Sequence, residues 1–169
     1  MGSGKSSVGR RLAKRLNLSF TDADQEISTA AGCSIEEIFE RYGESAFRDG
    51  ERRVIARLLD EGAKVLATGG GAFMDAATRD KIRESGISVW LRAELDILVN
   101  RVGRRGGRPL LKDVEPREKL GELIAVRYPV YALADITVDT GTEPPESTVD
   151  TIVAALDNHR QPAPVAAKS

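Results

Sequence analysis

At 169 residues, with 25 Lys plus Arg against 26 Asp plus Glu and a formal charge of −1, the chain is sized for one domain with a hydrophobic core of its own. The balanced charge argues against a bulk nucleic-acid binder, no apolar run reaches the length of a membrane span, and no signal-peptide pattern precedes the first motif. The single Cys33 has no partner for an intramolecular disulfide and the single His159 rules out a His-based triad or a His-rich metal site, so a cytoplasmic setting is expected.

The chain opens on Gly2-Ser3-Gly4-Lys5-Ser6-Ser7, the downstream half of a phosphate-binding loop. Glycines let the backbone curl around phosphates, Lys5 supplies a point charge to the β and γ phosphates, and Ser6 offers a hydroxyl to Mg²⁺. Val8, Leu12 and Leu16 then recur on one face, which predicts a helix whose N-terminus faces the anion. The first glycine of the full pattern, and the strand that delivers the loop, would fall before Met1. The natural product is therefore expected to begin roughly ten residues earlier, the length of a strand plus the loop's opening.

Residues 19–22 predict a short strand ending in Asp22-Ala23-Asp24. Two acids at a strand's carboxyl end can face a ligand crevice, or they can cap the following helix; the sequence leaves both open. Helical patterns follow over 34–42, with Ser34 and Glu37 at capping spacing, and over 44–60. Arg48 and Glu51 lie three apart on the second, within pairing reach. A strand over 64–68 leads into Gly69-Gly70-Gly71, more glycine than a turn requires and suited to a ligand that approaches backbone N–H groups. Then come a helix over 75–84, a strand over 87–91 and a helix over 94–102.

Arg101-Val102-Gly103-Arg104-Arg105-Gly106-Gly107-Arg108 mixes mobile glycines with phosphate-seeking arginines, which suits a lid over about 103–114. A helix over 115–132 carries Arg127 among apolar neighbours, either snorkelling to the surface or aimed at an anion. A strand over 135–139 and a proline loop precede a last helix over 147–158, with Ser147 and Asp150 at capping spacing. Residues 161–169 read as a disordered Pro/Ala-rich tail behind one domain over 1–160. Helices alternating with short apolar runs predict an α/β fold, a three-layer parallel sheet with helices on both faces.

In this order and at these spacings the landmarks resemble shikimate kinase, a small family of the P-loop, nucleoside-monophosphate-kinase-like fold. The resemblance implies a sheet of strand order 2-3-1-4-5, with strand 1 absent here. It implies ATP-dependent phosphorylation of the 3-hydroxyl of shikimate, with Mg²⁺, on the route to aromatic amino acids. By resemblance Gly2, Ser3, Gly4, Lys5, Ser6 and Ser7 hold the nucleotide, Ser6 and Asp22 serve the metal, and Arg101 sits beside adenine. Asp24 binds the reacting hydroxyl, Arg48 and Arg127 clamp the substrate carboxylate, and Gly69, Gly70 and Gly71 face the substrate. Arg108 is the lid arginine over the transferring phosphate, and the catalytic set is Lys5, Asp24 and Arg108. The partner implied is a small molecule, with no nucleic acid or membrane, and the chain is expected to be a monomer. Gluconate kinases share the loop but follow their acids with His-Pro, where this chain has Gln25-Glu26. A non-catalytic binding module would have less reason to keep Lys5, Asp24 and Arg108.

Overall fold

The computed structural model describes residues 3–103 and 116–160. In chain order it contains α1 (Lys5–Leu16), β1 (Ser19–Asp22), α2 (Ala23–Ala31), α3 (Ile35–Asp60), β2 (Lys64–Ala67), a 3-10 turn (Ala72–Met74) and α4 (Ala76–Ser85). After these come β3 (Val89–Arg92), α5 (Leu95–Gly103), α6 (Pro116–Tyr131), β4 (Ile136–Asp139) and α7 (Pro145–Arg160). The expected lid beyond Gly103, with Arg108, and the tail over 161–169 lie outside the described residues, as does Gly2.

β1 pairs with β2 in parallel, from Ser19 opposite Lys64 to Asp22 opposite Ala67. β3 pairs with β4 in the same sense, from Val89 opposite Ile136 to Arg92 opposite Asp139. Among the described residues no strand is hydrogen-bonded to both pairs. One apolar cluster nevertheless reaches both pairs. Val8 and Leu12 of α1 meet Ile136 and Val138 of β4 and Val149, Ile152 and Leu156 of α7, with Val65, Val89 and Leu91 packed at the margin. Burying an aliphatic side chain such as Ile152, 1% exposed, is worth about 1.5–3 kcal/mol, so this cluster is what holds the two strand pairs under α1. A second cluster of Ala23, Ile55, Leu58 and Ala72 seats α2 and α3 on the β1–β2 side.

Local sequence explains most boundaries. Ser34 and Glu37 form the expected capping box, at 3.2 and 2.9 Å. Gly43, at φ 79°, interrupts α3 and makes it two helical stretches, a conformation that a side chain disfavours. The strand expected over 87–91 is displaced to Val89–Arg92. Asp135 takes both the N–H and the hydroxyl of Ser88, at 2.7 and 2.5 Å, so a side-chain lock precedes the ladder. The Ser147–Asp150 cap is corrected as well. α7 begins two residues earlier at Pro145, whose fixed φ and missing N–H suit a first helical position. Asp150 is turned instead toward Arg15 of α1, and Glu146 toward Arg11 at 2.7 Å.

Candidate active site

The site lies where α1, the carboxyl ends of β1 and β2, and the last turns of α6 meet. Gly4 turns the chain into α1 at φ 86°, and Lys5 is the first helical residue, half-buried. The helix therefore directs its unpaired N–H groups and the positive end of its dipole to the place Lys5 occupies. Lys5, Ser6, Asp22, Asp24, Thr68, Gly69 and Gly70 all line one open cleft of about 870 Å³.

Asp22 satisfies both readings of the acid pair. Its Oδ1 accepts from the Asp24 N–H at 3.2 Å and caps α2, while its Oδ2 accepts from the Ser6 hydroxyl at 2.8 Å. The two oxygen ligands expected for a metal are thus side by side. Mg²⁺ is held by one or two protein oxygens with water and substrate phosphates completing its shell, so this hard-oxygen pair fits it. Asp24 is open to the cleft but crowded by protein. Burial first, then the neighbouring Asp22 charge, raise its pKa above the ordinary aspartate value, with Lys5 and Arg48 pulling the other way.

Each glycine of the triplet has a side chain lying against the place a Cβ would take. A Cβ on Gly69 would come within 2.9 Å of Glu51 Oε1 and 3.0 Å of Asp24 Oδ1. One on Gly70 would meet Arg127 Nη1 at 2.9 Å and the Tyr131 hydroxyl at 3.1 Å, and one on Gly71 would lie 2.5 Å from Arg48 Cζ. Each glycine is therefore bare because a particular polar side chain rests against it. In this way Asp24, Glu51, Arg127 and Arg48, contributed by α2, α3 and α6, converge on three consecutive residues after β2.

Arg48 is held from two sides, by Glu51 at 2.7 Å and by Glu44 at 3.1 Å. Its pKa is raised: burial works against the charge, but the two glutamates outweigh it. Glu51 is only 2% exposed, and its Oε1 has no hydrogen-bond partner. Burial pushes its pKa up, while Arg48 and Arg127 restrain the rise. The sequence pairs Glu51 with Arg48 but does not mark it as buried. The available signal is its place in the stripe Phe47, Glu51, Ile55, Leu58, where every other member is an apolar core residue. Tyr131 is also missed, although it stands four residues after Arg127 and so on the same helical face.

Arg101 is anchored away from the glycines, donating to the Thr140 hydroxyl and to the Gly141 carbonyl in the loop after β4. Ser3 and Ser7 flank the Lys5–Ser6 pair, and the Ser7 hydroxyl accepts from Arg11 at 2.9 Å.

A family model described as shikimate kinase matches residues 1–157. The chain belongs to the shikimate kinase family. It is 59% identical to the shikimate kinase of Rhodopseudomonas palustris over 97% of its own length and 81% of that relative's. With the Caulobacter vibrioides shikimate kinase it shares 57% over 92% of its length and 78% of the relative's. A solved shikimate kinase from Acinetobacter baumannii, in complex with shikimate, superposes with a TM-score of 0.90 at 36% identity, covering 96% of this chain and 91% of that one. A gluconokinase from Sinorhizobium meliloti, at 20% identity and a TM-score of 0.56, covers 94% and 87% respectively and shares the fold alone. The shikimate kinase neighbours thus stand well apart from the gluconate-kinase alternative. Among the described residues no helix is long and apolar enough to cross a membrane.

Proposed function

We propose that this chain transfers the γ-phosphoryl group of ATP to the 3-hydroxyl of shikimate, as a cytoplasmic monomer in the pathway to aromatic amino acids. The observation that carries the reading is the convergence of two arginines and two carboxylates on Gly69, Gly70 and Gly71, the first two of which line the cleft with Lys5. A small acid with several hydroxyls needs that combination: paired guanidinium groups for its carboxylate and an acid within reach of a hydroxyl.

Arg48 and Arg127 orient the substrate carboxylate, and two planar forks fix its direction as well as its affinity. Asp24 accepts a hydrogen bond from the reacting hydroxyl and takes its proton as the new P–O bond forms and the bond from the γ-phosphorus to the departing ADP breaks. The raised pKa strengthens it in that role. Lys5 and the α1 N-terminus counter the charge on the phosphates, Gly4 gives the backbone room to approach them, and Ser3 precedes it in the loop. Ser6 and Asp22 are the oxygens that would hold Mg²⁺, which neutralises phosphate charge when bound. Phosphoryl transfer asks mainly for positioning and charge stabilisation, which these groups supply without a covalent intermediate. Arg108 and Arg101 complete the scheme at the lid and beside the adenine.

A coupled ADP-release assay with shikimate, gluconate and AMP as separate acceptors tests the proposal. Turnover with shikimate alone is expected. Preference for gluconate or AMP would overturn the substrate assignment, and shikimate binding without turnover would favour a binding module.

A further inference from the structure

A run of three glycines has few side-chain contacts to hold it still, yet in the proposed reaction it must present fixed backbone groups to a small substrate. The carbonyls show how it is held. Gly69 C=O accepts from the Ala72 N–H at 3.2 Å, and Gly71 C=O from the Met74 N–H at 3.0 Å, both within the 3-10 turn. Gly70 C=O instead accepts from the Tyr131 hydroxyl, 61 residues further along the chain. A peptide group is planar, so fixing a carbonyl fixes the N–H across the same bond. The Gly69 bond sets the plane before the Gly70 Cα, and the Tyr131 bond sets the plane after it.

Tyr131 also reaches the arginine beside it. Residues four apart on a helix are neighbours, and the Tyr131 hydroxyl and Arg127 Nη1 both rest against Gly70, 3.1 and 2.9 Å from where a Cβ would stand. The ring itself is braced. Phe73 from the 3-10 turn and Trp90 from β3 meet it edge-on at 6.3 and 5.9 Å, and Tyr128 lies 6.3 Å away. The hydroxyl thus stands on a wedged ring, bonded to the Gly70 carbonyl and beside the Arg127 guanidinium.

We infer that Tyr131 is a positioning residue for the shikimate subsite, whose hydroxyl sets the Gly70 peptide plane against which the Arg127 guanidinium rests. The inference rests on the substrate reading above. Neighbouring Tyr128 provides the control, because its hydroxyl donates to Ala93 C=O and not to the glycines.

The test compares Tyr131→Phe with Tyr128→Phe in the intact chain, measuring shikimate and ATP KM, kcat and Tm. Binding is read separately from the fluorescence of Trp90, the only tryptophan. For Tyr131→Phe the shikimate KM and Kd should rise about tenfold, the usual scale for one lost hydrogen bond plus a stranded acceptor. ATP KM and kcat should stay within about twofold, and Tyr128→Phe should leave the shikimate KM unchanged. A wild-type shikimate KM in Tyr131→Phe, or an equal rise in both KM values, would overturn the inference. Amide exchange over residues 68–74 without substrate provides a second readout. Faster exchange at Gly71 in Tyr131→Phe is expected, and unchanged exchange there would sink the positioning role. If the wild-type protein does not act on shikimate at all, the substrate reading fails, while the exchange comparison still decides whether Tyr131 sets the loop.

Discussion

Replacing Arg48 with Ala removes the cation that answers a buried carboxylate, and the loss should depend on pH. Glu51 is 2% exposed and keeps one hydrogen bond, to Arg48 at 2.7 Å. Breaking a buried pair by deleting one partner costs about 3–5 kcal/mol. Arg48 is itself 28% exposed at the side chain, and Arg127 still faces Glu51, so the lower end applies. Protonation sets a ceiling. Moving a carboxyl from its ordinary value of 4.5 to the neutral form at pH 7 costs about 1.4 kcal/mol per unit, or about 3.4 kcal/mol in all. At pH 5 the same ceiling is about 0.7 kcal/mol.

The sign follows from linkage. Glu51 has a raised pKa in the folded state, so above 4.5 the folded protein holds its proton longer than the unfolded chain does. Stability therefore falls as pH climbs through that window, and removing Arg48 widens the window. Urea unfolding at pH 5 and pH 8 should show Arg48→Ala losing about 2–3 kcal/mol more, relative to wild type, at the higher pH. The double variant Arg48→Ala/Glu51→Gln should lose most of that pH dependence. An Arg48→Ala deficit equal at both pH values would refute the argument, because it would mean that Glu51 is solvated and not stranded.

Three further outcomes are expected. Lys5→Ala should abolish turnover with the circular-dichroism spectrum unchanged, and retained activity would contradict its phosphate role. Arg127→Ala should raise the shikimate Kd by about 10²-fold, as loss of one charge-assisted contact implies, with ATP affinity nearly unchanged; equal losses measured by calorimetry would argue against the clamp. Gly71→Ala meets no backbone strain, since φ is −86°, but its Cβ would lie 2.5 Å from Arg48 Cζ, so it should destabilise by pushing that guanidinium off Glu51, by no more than Arg48→Ala does. It should also raise the shikimate KM, because the new Cβ takes the space of the Arg48 guanidinium; a wild-type KM would show that Arg48 can serve from another position.

Much of this fold is written in local signals. The capping box at Ser34, the turn at Gly4 and the branched runs at β2, β3 and β4 each follow from neighbouring residues, and the structure places those elements within a residue or two. Ser147 misleads because capping spacing is a local pattern, whereas the α1–α7 contact that takes Asp150 is not local. The site was legible in the same uneven way. Lys5 and Ser6 announce themselves by motif, Asp22 only as one of two open readings, and all three line one cleft. Glu51 does not, since an acid on a helix ordinarily marks the solvated face and only its apolar companions at 47, 55 and 58 say otherwise. The glycine triplet marks a place for a ligand to approach, and the structure sets protein side chains against it. Which groups approach it depends on α3 and α6 folding back over β2, and no spacing within the triplet encodes that.

Glu51 is where stability and function pull apart. A hydrophobic residue there would continue the stripe of Phe47, Ile55 and Leu58 and avoid an orphaned oxygen. Replacing buried ion pairs by apolar residues is often neutral or stabilising. What such a residue could not do is hold Arg48 against Gly71. An arginine paired only with the exposed Glu44 would keep its charge but lose its direction, because surface pairs fix geometry weakly. The buried acid thus trades part of the fold's stability for the aim of one guanidinium. The same logic makes Gly71 bare: a side chain at that position would occupy the place toward which Glu51 directs Arg48.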